Sequence, residues 1–407
     1  MNDALNWPAP AQAALAARHQ AESTAGRQRS ARQTLRLLLL RSLAPVSRWT
    51  TPAPPTAPPQ RVLLIRPDHL GDLLFTTPAL QRLRQVWPNA HITALVGPWG
   101  QPILADHPAL DEILTLPFPG FTRQPATSPW APYRLLAAEA DRLRAGHFDL
   151  ALILRFDHWW GAWLAQRAHI PRRFGFAVPE CVPFLTTAVP YNPRRHEVEQ
   201  NLALVAAASG QPEITPGPLH FSVPPAAAAW AAAWLAGRSL ADRPLVALLP
   251  GAGAAVKLWR AESWAALAAA LQARGLTPLL AGGAGEVALA QAINACLPEP
   301  LPSAVGETSL AQLAALLQRS ALVIGLDSGP MHLAAALGVP TIHLYGPVDA
   351  ASFGPWGDPA RHRVITSAWA CVPCNRLDFT DADLPLHPCV RAITVEQVLA
   401  ALPAALS

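Results

Sequence analysis

Lysine is almost missing from this 407-residue chain: of 31 basic side chains, one is Lys, at position 257, and the rest are Arg. Charge is scarce altogether. Asp, Glu, Lys and Arg make up 14% of residues and hydrophobic side chains 51%, against about 25% charged in an average globular chain. That balance excludes a disordered or polyelectrolyte protein. Uninterrupted apolar runs of about 18 residues, the length a bilayer-spanning helix needs, are absent, and Leu37-Leu38-Leu39-Leu40 is far too short. The opening MNDALNWPAP lacks the charged segment and apolar core of a secretory signal, which points to the cytoplasm. A net charge of +4, thinly spread beyond the first 50 positions, gives no nucleic-acid-binding surface. Five cysteines, Cys181, Cys296, Cys371, Cys374 and Cys389, are odd in number and too few for a disulfide scaffold.

Proline, by contrast, is abundant at 44 residues, so many connections are stiff. The length suits two or three domains. Residues 1–60 read as a leader. Positions 11–44 look helical, with Arg27, Arg29, Arg32, Arg36 and Arg41 among leucines, a pattern suited to an anionic membrane surface or to packing on the protein body. A Pro-rich linker, 50–59, follows. From 61 onward strands and helices alternate. RVLLI (61–65), HITALVG (91–97) and FDLALIL (148–154) are apolar runs of the kind buried in parallel sheets, and a helix is expected over 72–86. After the Pro-rich stretch 214–225 the pattern restarts with PLVALLPGAG (244–253), TPLLAGG (277–283), ALVIGLD (321–327) and TIHLYGP (341–347), separated by helical segments. Two runs of βα units predict two doubly wound α/β domains, 61–222 and 223–390. A final helix in 391–407 is expected to pack back on the first domain. Ligands in such folds lie at the carboxyl ends of strands.

Three strand-end segments carry chemistry. Arg66-Pro67-Asp68-His69-Leu70-Gly71-Asp72 joins a strand to a helix, and Asp72 is there either a helix cap or a reactive carboxylate facing a cleft. Pro250-Gly251-Ala252-Gly253 leads to Lys257, and bare amides with a cation suit phosphate oxygens, although the spacing is neither that of a P-loop nor G-x-G-x-x-G. Asp327-Ser328-Gly329-Pro330-Met331-His332 opens a helix whose free N–H groups suit a diphosphate, unless it is an ordinary capped start with His332 in the core. Arg155, Asp157 and His158 follow another strand end and are candidate ligand contacts, or else a surface turn. His196-Glu197, at a helix start, is a weaker candidate. Cys371, Cys374, His387 and Cys389 have the composition of a structural zinc site but loose spacing, and free thiols or a redox-dependent disulfide are the favoured reading.

Together RVLLIRPDHLGDLLFTTPALQRLRQVWPNAHITALV, PGAGAAVKLW and LVIGLDSGPMHLAAALGVPTIHLYGP, in that order, resemble the family 9 glycosyltransferases, the family of the ADP-heptose:lipopolysaccharide heptosyltransferases. The resemblance spans about 61–400 and implies a GT-B architecture, two Rossmann-like domains facing across a cleft. It implies metal-independent, inverting transfer of heptose from ADP-heptose to a cell-envelope glycan such as lipopolysaccharide core, and calls for no cofactor. Asp72 would be the general base. Gly251, Gly253, Lys257, Glu286, Asp327, Ser328, Gly329, Met331 and His332 would receive the donor, with Glu286 at its ribose. Arg66, His69, Arg155, Asp157 and His158 would face a lipid-linked or other glycan acceptor. The place of work would be the cytoplasm, with peripheral contact at the inner membrane through the leader. Asp68-His69 stands where inner-core enzymes carry small hydroxyl residues, and Phe75 replaces a polar residue, so the acceptor stays open. The same fold also serves sugar-nucleotide epimerases, hydrolases and non-catalytic scaffolds.

Overall fold

The computed structural model describes residues 4–26, 57–122, 128, 130–213 and 217–406. The chain divides into two compact units after Ser222. Each is a parallel α/β domain.

The first is built on β1 (Arg61–Arg66), β2 (His91–Val96), β3 (Glu112–Thr115), β4 (Leu150–Ile153), β5 (Arg172–Phe176) and β6 (Thr187–Val189). They run parallel in the order β3-β2-β1-β4-β5-β6. This is the doubly wound order in which the chain reverses its direction of sheet growth between β1 and β4. β1 pairs through Val62 with Leu150 and through Arg66 with Val96. Leu63, Ile65, Leu95, Ala151 and Ile153 pack with Leu136, Ala140 and Leu143 of the helix Ala131–Ala145 and with Leu164 and Ala165 of Trp159–Arg167. Burial on both faces of the sheet explains why these strands read as continuous apolar runs rather than as alternation.

The helix expected over 72–86 is two helices, Leu70–Leu74 and Thr77–Val86. Pro78 has no N–H to continue the ladder. Thr76 and Thr77 return their hydroxyls to the carbonyls of Leu73 and Leu74 at 2.6 and 2.7 Å. The break turns Asp72 into a residue of a single short turn set against the end of β1.

The second unit contains β7 (Leu245–Leu249), β8 (Thr277–Leu280), β9 (Leu322–Leu326), β10 (Thr341–Tyr345) and β11 (His362–Thr366), parallel in the order β11-β10-β9-β7-β8. Its reversal point lies between β7 and β9. Trp259 and Trp264 are buried in its core, their rings edge to face at 5.1 Å.

Two assignments from sequence change here. The C-terminal helix Val395–Ala400 joins the core of the second unit, where Val398 and Leu402 pack with Trp264 and Leu271, and the Trp259 indole N–H donates to the Ile393 carbonyl at 2.9 Å. It therefore does not belong to the first domain, because its apolar face is already covered by its own. The leader is not wholly a separate appendage either. Its helix Ala9–Gly26 belongs to the second unit, with Ser23 donating to the Cys374 carbonyl at 2.8 Å. The leader arginines read as a membrane-facing stripe, Arg27 to Arg41, lie outside the described residues. No described helix is long and apolar enough to cross a membrane.

Candidate active site

Each domain gathers its sequence-selected residues at its own reversal point. In the first domain the loops after β1 and β4 meet there. Arg66, the last residue of β1, is buried and ringed by polar partners. Its Nε lies 2.6 Å from Asp68, Nη1 donates to Glu197 at 2.7 Å and to the Leu154 carbonyl at 2.9 Å, and Nη2 lies 3.4 Å from Asp72. Asp68 is in turn ion-paired with Arg155, whose Nε is 2.6 Å from Asp157. Two guanidinium groups thus face four carboxylates: Asp68, Asp72, Asp157 and Glu197. Burial alone would raise the pKa of Asp68, but Arg66 and Arg155 hold it below the ordinary carboxylate range.

Asp72 has the opposite environment. It stands in the first turn of its helix, but the N-cap position is His69 and carries no side-chain capping bond. About a third of its side chain, 35%, remains open. Burial of the carboxyl and the negative charges of Asp68 and Glu197 outweigh the pull of Arg66, and its pKa is pushed up to about 7. A carboxylate that accepts a proton near neutral pH, held by a rigid guanidinium, can serve as a general base.

Glu197 and Asn201 complete this arrangement from a distant part of the chain. Glu197 begins the helix Glu197–Ser209, which is fixed by a capping box between His196 and Glu199. Asn201 donates to the Phe75 carbonyl at 3.2 Å and so ties that helix to the turn after Asp72. Phe75 is fully buried and packs edge to face on His196. The apolar residue at this position thus follows from packing.

Arg66, selected from sequence as an acceptor contact, faces the interior instead, because three carboxylates and a carbonyl already take up its guanidinium. His69 is exposed and stacks on Trp99 at 5.1 Å, and the Trp99 indole N–H donates to the Asp68 carbonyl at 2.7 Å. His158 is 4% exposed, and burial draws its pKa down to about 3. Among the described residues neither of its ring nitrogens has a hydrogen-bond partner. Gly161 makes room for it, since a Cβ there would stand 2.3 Å from His158 Nδ1.

In the second domain the loops after β7 and β9 meet. Lys257 ends the short 3-10 helix Ala255–Lys257, and its Nζ lies 2.7 Å from Asp327 Oδ2, with only 13% and 10% of the two side chains exposed. Gly251 is needed for close approach: a Cβ there would meet Glu286 Oε1 at 2.5 Å. Glu286 Oε2 is buried and lacks a partner among the described residues, as does the Ser328 hydroxyl at the N-cap of the helix Gly329–Ala336. A buried unpaired oxygen is costly, and a ligand hydroxyl or N–H relieves it.

Met331 does not fit a donor-contact role. Its side chain is fully buried against Gly325, and its amide already donates to the Ser328 carbonyl at 3.1 Å. Its backbone and side chain serve the helix start and the core. His332 is likewise buried, its ring 5.8 Å from that of His343.

Cys371, Cys374 and Cys389 are buried free thiols, and the His387 ring lies between those of His19 and Phe379 at 4.2 and 3.6 Å. No three potential ligands among the described residues stand together around a metal position.

Comparison with known proteins places this geometry in context. The family model of glycosyltransferase family 9 (heptosyltransferase) matches residues 137–378, more than half of the chain. Lipopolysaccharide heptosyltransferase 3 of Escherichia coli K12 is 27% identical over 298 residues, covering 70% of this chain and 82% of that protein. Lipooligosaccharide heptosyltransferase 2 of Haemophilus influenzae is 27% identical over 311 residues, covering 74% and 87%. Among solved structures, a family 9 glycosyl transferase from Veillonella parvula superposes with a TM-score of 0.71 at 24% identity, over 84% of this chain and 96% of that one. The E. coli ADP-heptose lipopolysaccharide heptosyltransferase II gives 0.66 at 24%, over 85% and 98%. These likenesses establish the GT-B fold.

Proposed function

The chain belongs to glycosyltransferase family 9, and on that footing we propose that it transfers heptose, with inversion, from ADP-heptose to a saccharide of the cell envelope such as lipopolysaccharide core. The observation that carries this reading is Asp72, a partly open carboxyl pushed up to about 7 and held by Arg66 at the reversal point of the first sheet. Asp72 removes the proton from the acceptor hydroxyl as that oxygen attacks the anomeric carbon. Arg66 is a positioning residue here: it fixes the carboxylate and keeps it from swinging into solvent. His69, Arg155, Asp157 and His158 belong to the acceptor side.

On the donor side the leaving diphosphate gains negative charge as the glycosidic bond breaks. Lys257 and the amide of Gly329 offset that charge from fixed positions, without reorganisation of solvent. Glu286 Oε2, without a partner among the described residues, takes a ribose hydroxyl, and the open space at Gly253 admits the nucleotide, while Gly251 lets Glu286 approach the turn. Names of the relatives support a heptose donor and a lipopolysaccharide or lipooligosaccharide acceptor. The enzyme would work in the cytoplasm, meeting a lipid-linked acceptor at the inner membrane.

Asp72→Asn is the test. It keeps size and hydrogen bonding but cannot take a proton. Turnover of ADP-heptose with a heptose-deficient core acceptor should fall by about 10²–10⁴-fold, while stabilisation by ADP in a thermal-shift assay stays as in the wild type. Near-normal turnover in the variant would remove Asp72 from the role of base. Stabilisation by UDP- or GDP-sugars in place of ADP-sugars would overturn the donor.

A further inference from the structure

A pocket of about 420 Å³ opens in the first domain at the end of β4, beside the cluster that holds Asp72. Phe121, Tyr133, Trp159, Arg155, Asp157 and His158 are among its lining residues. Its size lies within the range of small-molecule sites. We propose that this pocket receives an uncharged saccharide residue of the acceptor, and that sugars bearing a carboxylate or phosphate are excluded from it. The inference rests on the glycosyltransferase reading and adds the class of sugar recognised.

Three observations converge on that class. The first is the aromatic lining. Tyr133 is 46% exposed at the rim, with the more exposed Trp130 6.2 Å away ring to ring, and Phe121 and Trp159 form part of the wall. Broad ring faces beside a few polar groups suit the apolar face of a pyranose, which carries hydroxyls only around its edge.

The second is charge. Arg155 is the one cation among the lining residues, and it is already engaged by Asp68 and Asp157 while lying over the rings of Phe121 and Phe156 at 5.1 and 5.8 Å. Beyond Arg155 the described lining residues offer a carboxylate, Asp157, and no second cation. An anionic sugar would bring a like charge beside Asp157 and, among the described residues that line the pocket, find no cation without a carboxylate partner.

The third is His158. It lines the pocket, is almost wholly buried, and both ring nitrogens lack partners among the described residues. A neutral imidazole offers one N–H and one lone pair. A sugar hydroxyl, which both donates and accepts, matches that pair, whereas a carboxylate or phosphate dianion only accepts.

Saturation-transfer NMR on the full chain tests the assignment, with methyl α-mannoside, methyl α-glucoside, glucuronate and glucose 6-phosphate as probes. The two uncharged glycosides should receive saturation at their ring protons, and glucuronate and glucose 6-phosphate should receive none. Tyr133→Ala, at an exposed position, should weaken glycoside binding by about fivefold, the scale of one aromatic contact. Asp157→Asn should lessen the discrimination against glucuronate. Preference for the acidic sugars in the wild type would overturn the proposal, as would glycoside binding equal in wild type and Tyr133→Ala, or no glycoside binding at all. ADP-heptose turnover is followed in parallel. Turnover without glycoside binding removes this inference alone, and absence of ADP-sugar binding removes the enzymatic reading on separate grounds.

Discussion

Replacing Asp68 by Asn should move the pH dependence of turnover without touching the base itself. In the proposed mechanism Asp72 acts as the carboxylate, so kcat/KM should rise about tenfold per pH unit at low pH and level off above its pKa, about 7. After burial, the largest influence raising that value is the negative charge of Asp68. Both carboxylates sit on one guanidinium, at 2.6 Å from Arg66 Nε and 3.4 Å from Nη2, so their nearest oxygens are within about 8 Å of each other. Two charges at about 6–8 Å, with an effective dielectric of about 20–40, interact by about 1–3 kcal/mol, which is about 1–2 pH units. Asn at 68 removes this repulsion. It also frees Arg66 and Arg155 from their shared partner, and both cations then favour ionised Asp72. The two effects have the same sign. The acid limb of kcat/KM for the acceptor should therefore shift from about 7 to about 5–6. A limb that stays at about 7, or moves upward, would refute the electrostatic account, provided the variant keeps the circular dichroism spectrum of the wild type.

Four further outcomes follow from the same geometry. The raised pKa of Asp72 means that the folded chain holds a proton the unfolded chain releases at about pH 4, so this group costs stability increasingly from there up to about pH 7 and fully above it. Asp72→Asn should accordingly raise the melting temperature at pH 8, with a gain that shrinks toward pH 4, as differential scanning calorimetry would show. Lys257→Ala leaves Asp327 without its partner in a nearly closed site, and chemical denaturation should report a loss of about 2–3 kcal/mol together with weaker ADP binding. Lys257→Arg keeps the charge but replaces a compact ammonium with a planar fork; isothermal titration should find ADP affinity lowered, and unchanged affinity would mean that any cation suffices. Gly251→Ala sets a methyl group 2.5 Å from Glu286 Oε1, so it should raise the KM for the donor by about 10-fold or more with little change in the acceptor KM.

The strand ends were legible because burial on both faces writes β1, β4, β7 and β9 as unbroken apolar runs, and a residue after such a run must lie near the carboxyl edge of a sheet. The less regular strands were not. Arg172–Phe176, RRFGF, is half cationic, because the Arg173 Nε donates to the Phe184 carbonyl at 2.7 Å instead of facing solvent. Thr187–Val189 is a short edge strand, and His362–Thr366 alternates at the opposite edge of the other sheet. Nothing in their composition separates them from loops. The partner of Arg66 was hidden for a different reason. Glu197 follows it by 131 positions, and a helix start with His and Glu reads as capping, which it also is. Which distant carboxylate meets a buried Arg is decided by how the helix Glu197–Ser209 packs, and no local pattern records that.

The scarcity of lysine acquires meaning at the level of the site. A chain that uses Arg for 30 of its 31 cations gains planar, bidentate groups, and the first domain exploits them: Arg66 and Arg155 bridge several carboxylates each, which a point charge on a flexible stem cannot do with the same rigidity. The cost of such bridging is that these cations are no longer available to a ligand. In the proposed reading, recognition on that side falls to aromatic faces, hydroxyl-compatible groups and the carboxylate of Asp157, and Asp72 keeps a high proton affinity because its carboxyl is buried beside Asp68 and Glu197. On the proposed mechanism the second domain has the opposite need, a cation that can turn from a protein carboxylate to an arriving diphosphate. Lys257 has the stem and the three rotatable donors for that exchange, and its one contact pair with Asp327 holds it in place until a more highly charged partner competes. Under that proposal, Arg at the carboxylate network and Lys at the Gly-rich turn are two solutions to opposite demands, one to immobilise a charge and one to release it.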